Sequence, residues 1–133
     1  MPHFSERSMT RLETCQKELR RLFLIVVRTF DCTIVEGHRS KADQNKYYDE
    51  GKSRIRFPNG KHNKQPSEGI DVAPYINGDI SWDTRHCLFF AGYVLGVASE
   101  LGIKIRWGGD WDMDNEAVTD QSFQDLVHFE LIS

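Results

Sequence analysis

Gly69-Ile70-Asp71-Val72-Ala73-Pro74-Tyr75-Ile76-Asn77-Gly78-Asp79-Ile80 is an apolar, β-branched run that leads into an Asn-Gly pair. Gly69 to Ala73 reads as a strand. Asn77-Gly78, set between Tyr75-Ile76 and Ile80, is a hairpin signal, because the tight turn it makes needs positive φ at both central positions. The segment therefore predicts an antiparallel sheet built around it. Asp71 interrupts the apolar run. A carboxylate buried there without a partner costs several kcal/mol, so it either faces water or holds a cation or a hydrogen-bond donor.

Working outward, Cys32-Thr33-Ile34-Val35 predicts a second strand that delivers Glu36-Gly37-His38-Arg39 to a loop at its end. Before it, Leu12, Cys15, Leu19, Leu22, Phe23, Val26 and Phe30 recur every three or four residues from Met9. That spacing predicts one long amphipathic helix, with Thr10 and Glu13 placed as a capping box. Ser40 and Asp43 open another helix, which Gly51 ends. Residues 52–66 are polar and basic, with a turn at Pro58-Asn59-Gly60. Ser81 or Asp83 starts a helix through Cys87, Phe90, Tyr93, Val94, Val97 and Leu101, and Gly102 closes it. Ile103 to Trp107 reads as a strand, Gly108 to Gln124 as a long acidic loop, and Val127 to Leu131 as a terminal strand. Helices and short strands in this order, without regular βαβ alternation, predict an α+β fold with a small, largely antiparallel sheet flanked by helices.

A chain of 133 residues that is 39% apolar supplies one core, so residues 1–133 are expected to form a single domain. Disordered and low-complexity classes are excluded by a charged fraction of 28% and only ten Gly and four Pro. The net charge of −3 hides an asymmetry: residues 107–133 hold seven of the twenty acids and no Lys or Arg. The basic residues Lys52, Arg54, Arg56, Lys61 and Lys64 form only a loose cluster. A solvated loop accounts for it better than a rim for an anionic polymer, and a nucleic-acid partner is not expected. No run approaches the roughly 20 apolar residues that span a bilayer, so membrane insertion is not expected either. The first residues, Met1 to Arg7, contain no apolar stretch of signal-peptide type, which points to the cytoplasm. Three cysteines without a C-x-x-C pair read as reduced, mostly buried thiols.

The chain carries no G-x-S-x-G, G-x-x-x-x-G-K-[ST], G-x-G-x-x-G or H-E-x-x-H. Its chemistry-bearing residues are His and Asp at strand edges: His62, nine positions before Asp71, and His128 inside Val127-His128-Phe129, three positions after Asp125. Taken singly, Asp71 is as well explained by a solvated carboxylate and His128 by a satisfied core histidine. Together, two imidazoles and a carboxylate are the protein ligand set of an open catalytic zinc. Asp125 is then placed to take a proton from the attacking water. Arg39 is a candidate for stabilising an oxyanion, with a surface salt bridge as the competing explanation.

The blocks Glu36-Gly37-His38-Arg39-Ser40, His62-Asn63, Pro66-Ser67-Glu68-Gly69-Ile70-Asp71-Val72-Ala73-Pro74-Tyr75, Arg106-Trp107-Gly108-Gly109-Asp110-Trp111 and Asp125-Leu126-Val127-His128-Phe129-Glu130-Leu131 carry a resemblance over residues 31–133. In this order they resemble the zinc D-Ala-D-Ala carboxypeptidase and dipeptidase family, in its phage endolysin branch of L-alanyl-D-glutamate peptidases. The resemblance implies a hedgehog/D,D-peptidase-like fold and zinc (Zn2+) ligands His62, Asp71 and His128. It also implies Asp125 as general base and Arg39 as the carbonyl-polarising residue. The step from His62 to Asp71 is longer than the family's common spacing, and Gly60 stands where the family has Ser. His38 and His86 are the candidates if His62 is not the ligand.

The activity implied is hydrolysis of a peptidoglycan stem-peptide bond, L-Ala-D-Glu, for lysis of a bacterial host. The implied enzyme is a monomeric, single-domain peptidase without a separate cell-wall-binding domain. It would wait in the cytoplasm of the infected host until a holin-type membrane lesion gives it access to the wall. Two alternatives stay open: a D-Ala-D-Ala carboxypeptidase with the same metal chemistry, and a non-catalytic zinc-bearing binding module. The loop Asp110, Asp112, Asp114 has the opening spacing of a calcium loop, but Asn115 replaces the turn Gly and Gln121 the closing Glu. A solvated loop accounts for that pattern better than a tight site. The resemblance leaves a weak regulatory calcium (Ca2+) there as an alternative.

Overall fold

The computed structural model describes residues 2–117 and 125–132. The elements run α1 (Glu6–Leu12), α2 (Lys17–Val26), β1 (Cys32–Glu36), α3 (Lys41–Asp49), a 3-10 turn (Lys61–Asn63), β2 (Gly69–Ile76), β3 (Asp79–Ile80), α4 (Thr84–Leu101), β4 (Ile105–Gly108) and β5 (Asp125–Leu131). The sheet order is β1-β2-β5-β4, with β3 paired to β2, and every pairing of these strands is antiparallel. The α+β architecture and the hairpin follow the sequence: Asn77 and Gly78 have φ of 54° and 85°. The part of the acidic loop at residues 118–124 lies outside the described residues.

One expectation fails. The single helix from Met9 to Phe30 is two helices, and the Thr10–Glu13 capping box does not form. Ser5 is the N-cap of α1, accepting from the Ser8 amide, while the Thr10 hydroxyl donates back to the Glu6 carbonyl. Between the helices the backbone turns aside to pair with the strand-like segment at Ser67. The Ser67 amide donates to Thr14 O and the Gln16 amide to Ser67 O, each at 2.8 Å. The apolar period survives the break, because both helices press one face on the same sheet.

That sheet has two unlike faces, as strand alternation requires. On one, Ile34, Ile70, Val72 and Phe129 are fully buried beneath Leu19, Leu22, Phe23 and Val26 of α2 and Phe90, Ala91 and Val94 of α4. Phe129 meets Phe23 and Phe90 edge-on, with ring centroids 5.6 and 6.2 Å apart. The other face carries Asp71, His128, Glu130 and Arg106 toward an open cleft.

Candidate metal centre

Register brings the first pair together. Asp71 of β2 lies directly opposite His128 of β5, and cross-strand neighbours on one face have Cβ atoms about 5 Å apart. Ile70 and Phe129, facing the core beside them, fix which side these two residues take. His62 arrives from the 3-10 turn, which is tied to the loop after β1: the Arg39 amide donates to His62 O at 2.8 Å and Asn63 Nδ2 to Arg39 O at 3.1 Å. Gly69 leaves the room this needs, since a Cβ there would stand 3.1 Å from the His62 amide nitrogen and 3.2 Å from His128 Cε1.

The donor chemistry of the cluster is specific. His62 Nδ1 lies 2.6 Å from the Gly37 carbonyl, which can only accept, so Nδ1 carries the hydrogen and Nε2 is the lone-pair nitrogen. His128 Nε2 lies 2.8 Å from Glu130 Oε1, which likewise places the hydrogen on Nε2 and leaves Nδ1 inward. Asp71 Oδ1 is 3.1 Å from His62 Nε2 and 3.0 Å from His128 Nδ1, and the two nitrogens are 3.1 Å apart. Three acceptor atoms therefore converge, all within 4.8 Å of one another, in a buried spot. Such a set repels itself unless a proton or a metal ion lies among its members. The outward hydrogen bonds to Gly37 O and Glu130 are the supports that orient metal-ligating imidazoles. The residues present thus fit a divalent metal of zinc type.

The charges agree. In the protonated form of the cluster, burial works against the Asp71 carboxylate, but the His62 charge and the hydrogen bonds from both imidazoles hold it well below the usual carboxylate range. His128 is disfavoured as a cation by burial, yet Asp71 and Glu130 raise it to about 10. Glu130 is buried, and bonds from His128 and Arg106, the latter at 2.8 Å, keep it lowered. Burial pushes Asp125 up to about 6, with the Asp71 charge adding to the rise. A carboxyl of that kind can take and return a proton near neutrality.

Asp125 opens β5 opposite Gly108 of β4. The two backbones approach so closely that a Cβ on Gly108 would stand 2.1 Å from Asp125 O. Arg39 is buried: its Nε donates to Glu36 Oε1 at 2.7 Å and its Nη1 to Gln44 Oε1 at 3.1 Å. Arg39 Nη2 also pairs with Glu36, lies 3.5 Å from Asp71 Oδ2, and the guanidinium stacks 4.7 Å from the Tyr47 ring. All five predicted residues, His62, Asp71, His128, Asp125 and Arg39, line one cleft of about 1240 Å³. His38 and His86 do not join it; His86 Nδ1 instead pairs with Ser81 Oγ at 2.6 Å.

The sequence reading missed Glu130, Gln44 and Trp111. Glu130 was detectable in principle, because it is two positions from His128 and so shares its face. Trp111, whose ring lies 5.7 Å from that of His128, carried no such signal. The carboxylates of Asp110, Asp112 and Asp114 also gather, but they cap their own loop. Asp110 accepts from the amides of Asp114 and Asn115, and Asp114 from that of Glu116.

The family model of phage L-alanyl-D-glutamate peptidases matches residues 1–132. The chain belongs to that family. It is 32% identical over 116 residues to the L-alanyl-D-glutamate peptidase of Escherichia phage T5, covering 85% of this chain and 84% of that one. Among solved structures it is similar to the Serratia marcescens L-Ala D-Glu endopeptidase ChiX, with a TM-score of 0.77 and 25% identity over 98% of this chain and 91% of that one. The vancomycin resistance D,D-dipeptidase VanXYg shares the fold at 13% identity and a TM-score of 0.53, over 90% of this chain and 51% of that one.

Proposed function

We propose that this family member is a zinc metallopeptidase that hydrolyses the L-Ala–D-Glu bond of the peptidoglycan stem. The observation that carries the reading is the convergence of three acceptor atoms from His62, Asp71 and His128 beside Asp125, in a family whose members bear that activity in their name. His62, Asp71 and His128 would hold the ion. Zinc so bound supplies Lewis acidity to the scissile carbonyl and lowers the pKa of water toward about 7.

The chain's own residues do the rest. Asp125 accepts the proton of the attacking water and returns it to the departing amine of D-Glu. The water oxygen becomes part of the new L-Ala carboxylate as the C–N bond breaks. Arg39, fixed by Glu36, Gln44 and Tyr47, brings positive charge beside Asp71 toward the oxyanion that forms in between. The wall is the site of action, and a holin-type membrane lesion gives access to it from the cytoplasm of an infected host. No helix among the described residues is long and apolar enough to cross a membrane.

Mass spectrometry of fragments released from purified peptidoglycan tests the reading. New N-terminal D-Glu and C-terminal L-Ala are expected, and chelation should abolish their release. Release of free D-Ala would assign the D-Ala-D-Ala terminus instead. A zinc-loaded protein that releases nothing would be a binding module.

A further inference from the structure

Arg106 occupies the cleft on the side opposite Arg39. It pairs in register with Glu130, while Trp107 beside it on β4 turns into the core. Across the cleft face the order is therefore Arg39, Asp71, His128 with Glu130, and then Arg106. One Arg106 Nη2 hydrogen goes to Glu130 Oε2 at 2.8 Å, and Nη1 reaches the Trp111 carbonyl at 3.5 Å. The guanidinium stacks on the Trp111 ring at 5.4 Å. Nε is covered and has no acceptor, and the side chain is 37% exposed along the cleft it lines. A strand, an aromatic platform and a carboxylate thus hold a planar fork whose remaining Nη hydrogens are left for the cleft. Lys52, Arg54 and Lys61 also line the cleft: the lysines are point charges, each beside its own carboxylate, Glu50 or Glu68, and Arg54 stands on the irregular loop after α3 without the strand that fixes Arg106.

The proposed substrate has a matching group. The D-Glu whose nitrogen leaves continues the stem through its side-chain carboxyl, so its α-carboxylate stays free, one carbon from the scissile nitrogen. Bidentate pairing with such a carboxylate is what a fixed guanidinium fork does best. We propose that Arg106 is the anchor for that α-carboxylate, so that the cleft selects D-glutamate over its α-amide, D-isoglutamine. The proposal rests on the peptidase reading above and names a specificity-determining residue within it.

The test uses two synthetic peptides, L-Ala-γ-D-Glu-Lys and its α-amide counterpart, with the zinc-loaded wild type, Arg106→Gln and Arg106→Lys. Wild type is expected to favour the carboxylate peptide in kcat/KM by on the order of tenfold or more, the scale of a charge-assisted pair. Arg106→Gln should bring the ratio near one, and Arg106→Lys should leave it between the two. Zinc content is measured in each, because loss of metal through Glu130 lowers both activities together and leaves the ratio untouched. Equal hydrolysis of both peptides by wild type overturns the anchor, and this arm needs no variant to fold. A preference that survives in Arg106→Gln also overturns it. Wild type inert on both peptides and on whole peptidoglycan overturns the peptidase reading itself.

Discussion

Asp71 and Asp125 are two carboxylates in one cleft, and in the proposed mechanism their surroundings divide the work between them. Asp71 sits between two imidazoles, which hold it ionised, as the proposed ligand role requires. Asp125 is pushed up to about 6, chiefly by burial, as suits a base that cycles a proton. Asp125→Ala is expected to keep its zinc by elemental analysis while turnover falls by on the order of a hundredfold. Asp71→Ala should lose metal and turnover together, and the reverse pattern would exchange the two roles. Glu130 acts one bond further out, through His128 Nε2 at 2.8 Å. Glu130→Ala should weaken zinc binding about ten- to a hundredfold in a chelator competition, with Glu130→Gln, which still offers an acceptor oxygen, losing less. At this scale the sequence was most readable where chemistry is scarce. An Asp inside an apolar strand, two histidines and a nearby Asp have few common uses together. Gln44 and Trp111 were not readable, because a Gln on a helix and a Trp in a loop have many.

Strand β2 and its hairpin were legible because alternation and Asn-Gly are local signals, complete within a few residues. The break between α1 and α2 was not, since its cause lies far along the chain. Ser67 draws Thr14 to Gln16 out of the helix, and Gly37 packs into the gap. A Cβ on Gly37 would stand 2.3 Å from Thr14 Oγ1 and 2.5 Å from Arg11 O, the latter a backbone atom that cannot swing away. The same Gly37 carbonyl accepts from His62 Nδ1. Gly37→Ala is therefore expected to destabilise the fold by about 1–3 kcal/mol in denaturant titration, the usual cost of overpacking. It should also weaken zinc binding, because the ligand's support moves with it. A stable Gly37→Ala protein with unchanged zinc affinity would show that the break is set elsewhere.

The whole molecule is one sheet with a dry face and a working face, joined at single residues. Phe129 anchors the core while its neighbour His128 faces the cleft, so core packing sets the aim of the site. The cysteines belong to the dry side: Cys15, Cys32 and Cys87 are free and buried, and burial raises all three thiols, Cys15 to about 11. A thiol reagent at pH 8 is expected to count no fast-reacting thiol in the native protein and three after denaturation.

Zinc ligands drawn from the 3-10 turn, β2 and β5 would tie together segments up to 66 positions apart, His62 to His128. An unfolded chain offers no such site, so the metal should stabilise the fold by mass action, about 2.7 kcal/mol at a hundred times its Kd. For a chain of this size that corresponds to a rise in Tm on the order of 10 °C. Differential scanning calorimetry with and without zinc is expected to show the rise in wild type, to keep it in Asp125→Ala and to lose it in Asp71→Ala. The three curves separate a metal centre from a buried histidine network. A network stabilised by its own hydrogen bonds would be indifferent to zinc, and Asp71→Ala would then lower Tm equally with and without it.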